Sequence, residues 1–292
     1  MGKRGWVFLG GCVFALCLCR AQACFARSPQ ERIIRVAGST TVLPAVSRAA
    51  ERFMRAHPGV RITVNPGGSG VGVKSLARGL VDIGMASREI DAEERNAFPA
   101  VDFNLWVIGR DAVACVVSSQ IYEAGVNVLS KPDIRAIYSG EIGNWSDVGG
   151  PDRPILVIDK EMHRGTRHVF MAYVFGDKKA RAEGADLVSG SNNEEQAKVA
   201  LSDAAIGMLS LAWINKDVRG VGIKEQGKVI NPTLENIRNG SYPISRNLNL
   251  ITNGRPEGIV RQFIDYILGP EGQKIVEEMG YVAIRSQAPQ AR

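Results

Sequence analysis

Three times near its start, the chain hands a short apolar run to a cluster of small, donor-rich residues and then to a helical pattern. Ile33 to Ala37 leads into Gly38-Ser39-Thr40-Thr41-Val42-Leu43-Pro44, and Val60 to Val64 into Gly67-Gly68-Ser69-Gly70. Val81 to Met85 then leads into Ala86-Ser87-Arg88. After the first turn, Val42, Val46, Ala49, Phe53 and Ala56 recur at helical spacing until Pro58-Gly59. Strands alternating with helices predict an α/β fold with a mainly parallel sheet and right-handed crossovers. Helix starts leave backbone N–H groups without intrahelical partners and carry partial positive charge. Small residues let an oxyanion approach that backbone, and Ser and Thr add hydroxyl donors. Several such turns facing one cleft would hold an anion without any catalytic group.

The same alternation continues. Strands are expected over Ala112 to Val117, Ile155 to Ile158, Ala204 to Leu209 and Leu248 to Thr252. Helices are expected over Val71 to Leu80, from Asp91, over Pro132 to Tyr138, Thr166 to Phe175, Glu194 to Leu201, Thr233 to Arg238, Pro256 to Leu268 and Gly272 to Met279. No low-complexity linker separates the units, which favours lobes joined by strands that cross between them.

Lys3 and Arg4, the apolar run Trp6 to Leu18 and the small residues Ala21-Gln22-Ala23 read as an export signal over residues 1–23. Cleavage after Ala23 would make Cys24 the first mature residue, where a bacterial lipoprotein carries its lipid. Ala21 stands where such signals usually have Leu, and a cut after Ala26 would release a soluble protein. Of five cysteines only Cys115 lies beyond this region, so no internal disulfide supports the fold. Three of the 36 basic residues, Lys3, Arg4 and Arg20, leave with the signal, so 33 remain against 30 acidic ones. That excess of three is too small for a nucleic-acid footprint. The remaining ~265 residues suit two ordinary domains.

Taken together, these stretches resemble the phosphate-binding receptors of bacterial ABC phosphate transporters, the PstS family. Tyr138-Ser139-Gly140-Glu141-Ile142-Gly143-Asn144-Trp145, Tyr242-Pro243-Ile244-Ser245-Arg246, Thr252-Asn253-Gly254 and Gly269-Pro270-Glu271-Gly272-Gln273-Lys274-Ile275-Val276 are similar to that family as well. The resemblance spans Ile33 to Ile284. It implies a two-lobed periplasmic-binding-protein fold, each lobe a mainly parallel sheet flanked by helices, joined by crossing hinge strands. Lobe 1 would be discontinuous, residues 31–110 plus 248–288, and lobe 2 would be residues 111–247. It implies inorganic phosphate as guest, a membrane permease as partner, no cofactor, no metal, a monomer, and a periplasmic or lipid-anchored location. By position, Thr40, Thr41, Ser69, Gly70, Ser87 and Arg88 would face the anion from one lobe. Lys160, Arg164, Gly165 and Thr166 would face it from the other.

The second group departs from the family pattern. Lys160 stands where Arg is usual and lacks its planar fork, and Met162, His163 and Arg164 replace small residues. Arg164 either compensates for the lost contact or swings out to solvent. Arg88 lies near where some members place an aspartate that accepts the proton of phosphate. A receptor for sulfate, molybdate or tungstate, or an anion sensor without transport, therefore stands as an alternative. A secreted phosphoester hydrolase is the third reading. Against it, none of the three histidines has metal-ligand spacing, and Val71 breaks the nucleophile-elbow pattern around Ser69.

Overall fold

The computed structural model describes residues 32–284. The expected export signal and the candidate lipidation site Cys24 lie outside the described residues. Strands β1 (Arg32–Gly38), β2 (Val60–Pro66) and β3 (Ile83–Ala86) alternate with helices α1 (Leu43–Ala56), α2 (Ser69–Ala77) and α3 (Ala92–Ala97). The chain then runs through β4 (Phe103–Ser118), α4 (Ser119–Glu123), β5 (Val128–Ser130), α5 (Lys131–Ser139), β6 (Leu156–Lys160) and α6 (Gly165–Phe175). Next come β7 (Leu187–Ser189), α7 (Asn192–Ala200), β8 (Ala205–Ser210), β9 (Val218–Gly220), β10 (Gly222–Glu225), β11 (Lys228–Ile230) and α8 (Leu234–Arg238). It ends with β12 (Ser245–Asn253), α9 (Gly258–Leu268) and α10 (Pro270–Glu278).

The main sheet has the order β2-β1-β3-β12-β4-β8-β6-β7, with β9 also on β4. Its flanks are parallel: β1 with β2 and β3 on one side, and β6 with β7 and β8 on the other. Its middle is antiparallel, because β12 pairs with both β3 and β4, and β4 pairs with β8. β4 is 16 residues long, far longer than the expected strand from Ala112. Its first half pairs with β12 and its second half with β8, so β4 and β12 join the two flanks.

Two main apolar clusters lie to either side of that junction. One gathers Ile34, Val46, Phe53, Ile83, Ile108, Leu250, Phe263 and Ile275. The other gathers Cys115, Ile134, Tyr138, Trp145, Phe170, Ile206 and Ile244. Cys115 is a buried thiol within the second, and burial pushes it well above the ordinary thiol value. Trp145 is fully buried with its indole N–H donating to the Ala204 carbonyl at 2.9 Å, so it serves packing.

Local chemistry explains how the turns are held. α1 buries Ala45, Val46, Ala49, Ala50 and Phe53, the one-face spacing of an amphipathic helix. α2 begins at Ser69, two residues before the expected start, because Gly68 supplies a positive φ of 89° at its N-cap. A Cβ on Gly72 would lie 2.5 Å from the Met85 carbonyl oxygen, so only glycine lets α2 settle this closely on β1 and β3. Asp91 caps α3 in a capping box with Glu94.

Candidate functional site

Ser39, Thr40 and Thr41 lead from β1 into α1, and Ser87 follows β3. Lys160 ends β6, Arg164, Gly165 and Thr166 open α6, and Ser191 and Asn192 open α7. All of these, with Gly68, line one small, tight pocket. Three helix starts from both flanks of the sheet therefore converge on one point, where their free amides and dipoles favour an anion.

Hydroxyls form its inner surface. Ser39 Oγ accepts from the Thr41 amide at 3.2 Å and donates to Ser87 Oγ at 2.9 Å. Thr41 Oγ1 lies 3.5 Å from Thr166 Oγ1, and it accepts from Asn192 Nδ2 at 2.9 Å. The Thr41 carbonyl accepts from Tyr281 Oη at 2.6 Å, tying the first turn to the C-terminal segment.

The cations around the pocket are paired. Lys160 is buried against the Glu195 carboxylate, and its Nζ also donates to the Ser191 carbonyl at 3.2 Å. Burial pulls the Lys160 ammonium below its ordinary value and pushes Glu195 above its own, while each charge opposes the other's shift. Arg164 does not swing out to solvent. It lines the pocket with Nε donating to Glu161 at 2.8 Å. With these charges offset, a guest's charge must be met largely by amides, hydroxyls and helix ends.

Three residues expected at the anion are placed otherwise. Arg88 faces away, with both terminal nitrogens 2.7 Å from Glu94 and one 2.8 Å from the Glu89 carbonyl. Glu94, held in place by the α3 capping box, captures that guanidinium. The Gly70 amide is taken by the His163 carbonyl at 3.1 Å, a contact between the two sides of the cleft. Ser69 is buried beside the pocket, where its Oγ accepts from the Ser87 amide at 3.1 Å.

Arg246, on β12, is absent from the sequence-based set, yet its guanidinium lies at the pocket's base. It donates to Thr166 Oγ1 at 3.1 Å, Ser87 Oγ at 3.2 Å and Thr41 Oγ1 at 3.1 Å. Asp111 on β4, its partner in the strand register, holds it with Oδ2 at 2.7 Å from Nη2 and 3.0 Å from Nε. The only sequence signal for this residue was its place in Tyr242-Pro243-Ile244-Ser245-Arg246. Asn192 and Ser191 carried none.

A buried, donor-rich pocket between two halves joined by crossing strands defines a two-lobed binding protein. A family model described as a PBP superfamily domain matches residues 26–271. The chain is 32% identical over 255 residues to the phosphate-binding protein PstS of Bacillus subtilis, covering 86% of this chain and 80% of that one. It is 29% identical to the PstS of Borreliella burgdorferi, covering 88% of this chain and 91% of that one. Among solved structures, one from Clostridium perfringens with bound phosphate has a TM-score of 0.78 at 30% identity, covering 87% of this chain and 100% of that one. An ABC-type phosphate transport receptor from Vibrio cholerae has a TM-score of 0.70 at 27% identity, covering 86% of this chain and 100% of that one. The chain belongs to the PstS family of phosphate-binding proteins.

Proposed function

We propose that this protein captures inorganic phosphate between two lobes, residues 31–110 with 248–288 and residues 111–247, and delivers it to the membrane permease of an ABC transporter. The observation that carries this reading is the convergence of α1, α6 and α7 on one hydroxyl-lined pocket. Thr40, Thr41, Ser87, Gly165 and Thr166 contact the anion. Lys160 and Arg164 border it with their charges shared, and Ser69 supports Ser87 from behind. Gly70 acts in closing the lobes through its amide on the His163 carbonyl, and Arg88 is tied to Glu94 within its own lobe, neither touching the guest. Hydrogen bonds to a charged group contribute about 1.5–3 kcal/mol each, so several offset much of the dehydration of the ion. A net of about 8 kcal/mol corresponds to a micromolar dissociation constant.

The protein is not an enzyme in this reading. The residues lining the pocket include no imidazole and no carboxylate to serve as a general base. It works outside the cytoplasm as a monomer, exported by its N-terminal signal and either free in the periplasm or lipid-anchored through Cys24. No described helix is long and apolar enough to cross a membrane. Closure on the guest supplies the signal to the permease, because only the closed form presents both lobe surfaces together. Isothermal titration with phosphate, arsenate, sulfate, molybdate and tungstate tests the assignment. Phosphate binding that is lost in Thr41→Val and Thr166→Val but kept in Thr233→Val is the expected result. Measurable turnover of a phosphate ester, or binding of none of these anions, overturns it.

A further inference from the structure

The hydrogen bonds of Arg246 have a consequence for which ions the pocket accepts. A guanidinium has donors only, whereas a hydroxyl has one hydrogen and two lone pairs. Wherever Arg246 meets a hydroxyl, the hydroxyl oxygen must therefore accept. Thr41 Oγ1 accepts from Arg246 Nη2 and from Asn192 Nδ2, so both of its lone pairs are filled. Ser87 Oγ accepts from Arg246 Nη1 and from Ser39 Oγ, so its lone pairs are filled as well. Thr166 Oγ1 accepts from Arg246 Nη1. Each of the three oxygens keeps its own hydrogen, and the hydroxyl neighbours that compete for it lie at long range, Thr166 Oγ1 3.5 Å from Thr41 Oγ1 and Ser69 Oγ 3.4 Å from Ser87 Oγ. Asp111, fully buried on β4, holds the guanidinium in the one orientation that reaches all three.

We propose that Arg246 is a positioning residue that fixes Thr41, Ser87 and Thr166 as donors, so that the pocket selects the least protonated form of its oxyanion. The inference rests on the phosphate reading and adds the ionisation state of the guest. A proton carried in by the ligand needs an acceptor. Thr41 and Ser87 have both lone pairs filled and Thr166 has one filled, and no residue lining the pocket bears a carboxylate. A buried donor left without an acceptor loses the hydrogen bond it had in water. Dihydrogen phosphate brings two protons, hydrogen phosphate one and sulfate none, so affinity falls as ligand protons are added.

The charged and titratable groups around the pocket come from every neighbouring element. They are Arg246 on β12, Asp111 on β4, Asp159 and Lys160 on β6, Glu161, His163 and Arg164 before α6, Arg167 on α6, Glu195 on α7 and Tyr281 near the C-terminus. Sulfate keeps its charge through the acidic range, so its affinity reports the protein's own titration. The ratio of phosphate to sulfate affinity then isolates the ligand's proton.

The experiment is isothermal titration of the folded protein with phosphate and with sulfate at a series of pH values. In the acidic range, where the monoanion dominates, the phosphate Kd is expected to rise about tenfold per pH unit lost, because only the dianion fraction competes for the site. Sulfate stays nearly flat over the same range. The paired variant Asp111→Asn with Arg246→Gln removes one positive and one negative charge, leaving the net charge unchanged. It frees the hydroxyl lone pairs, so the phosphate slope should fall to about threefold per unit or less. Arg246→Lys, which retains a cation for Asp111 but loses the fork, should flatten the slope in part and serves if the pair does not fold. A phosphate slope equal to that of sulfate in the parent, or one unchanged in the folded variants, overturns the proposal while leaving phosphate binding standing. Failure of the parent to bind either anion overturns both.

Discussion

Gly165 offers a test of lobe closure by a single methyl group. It opens α6 from one side of the cleft, and a Cβ built on it would lie 2.3 Å from Ser69 Oγ and 2.6 Å from Ser87 Oγ on the other. Both approaches are well inside contact distance. In Gly165→Ala the two serines must rotate or the lobes must stand apart. Rotation breaks the bonds from the Ser87 amide to Ser69 Oγ and from Ser39 to Ser87. Overpacking of this kind costs about 1–3 kcal/mol. If that cost falls on the closed form alone, the phosphate Kd rises about 5- to 150-fold. Alanine is the better helix former, so the ligand-free open form should not lose stability. Titration calorimetry gives the Kd, and thermal unfolding without ligand gives the control. Ser69→Gly added to Gly165→Ala removes the nearer obstacle and should recover part of the affinity. A Gly165→Ala protein that binds within twofold of the parent would refute the closure argument.

Other expectations follow from the same contacts. Lys178 and Lys179 reach Asp91 and Glu93 across the cleft at 2.5 and 2.6 Å. Such exposed pairs contribute about 0–1 kcal/mol each, so the double Lys→Glu change should weaken phosphate binding by several-fold and remove part of its salt dependence in titrations at two ionic strengths. Arg88→Lys should leave the phosphate Kd within about threefold, because the parent guanidinium is spent on Glu94 and Glu89. Lys160→Met leaves Glu195 buried without its partner and should cost about 3–5 kcal/mol of stability, whereas Lys160→Met with Glu195→Gln should recover much of it in denaturant unfolding. His168 is held down to about 4 from 6.5, by burial first and then by Arg88. Between those values the unfolded chain binds the extra proton, so stability is full above pH 6.5 and drains away as pH falls towards 4. His168→Gln should flatten that part of a Tm-against-pH curve.

The turns and helix starts could be read from the sequence because their chemistry is local. Gly, Ser and Thr at the end of an apolar run announce both a helix start and a surface of donors. Asp91 and Glu94 likewise announce a cap. What the run of residues hid was non-local. Arg246 stands on a strand 80 residues from Thr166, and no spacing rule links them. Arg88 looked available because its neighbourhood is donor-rich. Its fate was decided by Glu94, six residues on, once the α3 cap had fixed that carboxylate nearby. The full length of β4 was obscured by Gly109, Arg110 and Asp111, which interrupt the apolar pattern where the strand passes from one core to the other. Asp111 in that interruption proves to be the anchor of the pocket's base. The mainly parallel expectation describes the flanks of the sheet. The middle is antiparallel because the strands that join two halves must run both out and back.

Asp111 and Arg246 sit opposite one another on the two strands that both halves share. When a jaw swings, atoms far from its axle travel furthest and those on the axle hardly move. In the closure proposed above, the base of this pocket would lie on the axle, and Thr166, Lys160 and Asn192 would ride on the arm. Recognition would thereby be split in kind. The stationary part would test the chemistry of an ion before anything has shut, and the travelling part would set how long that ion is kept.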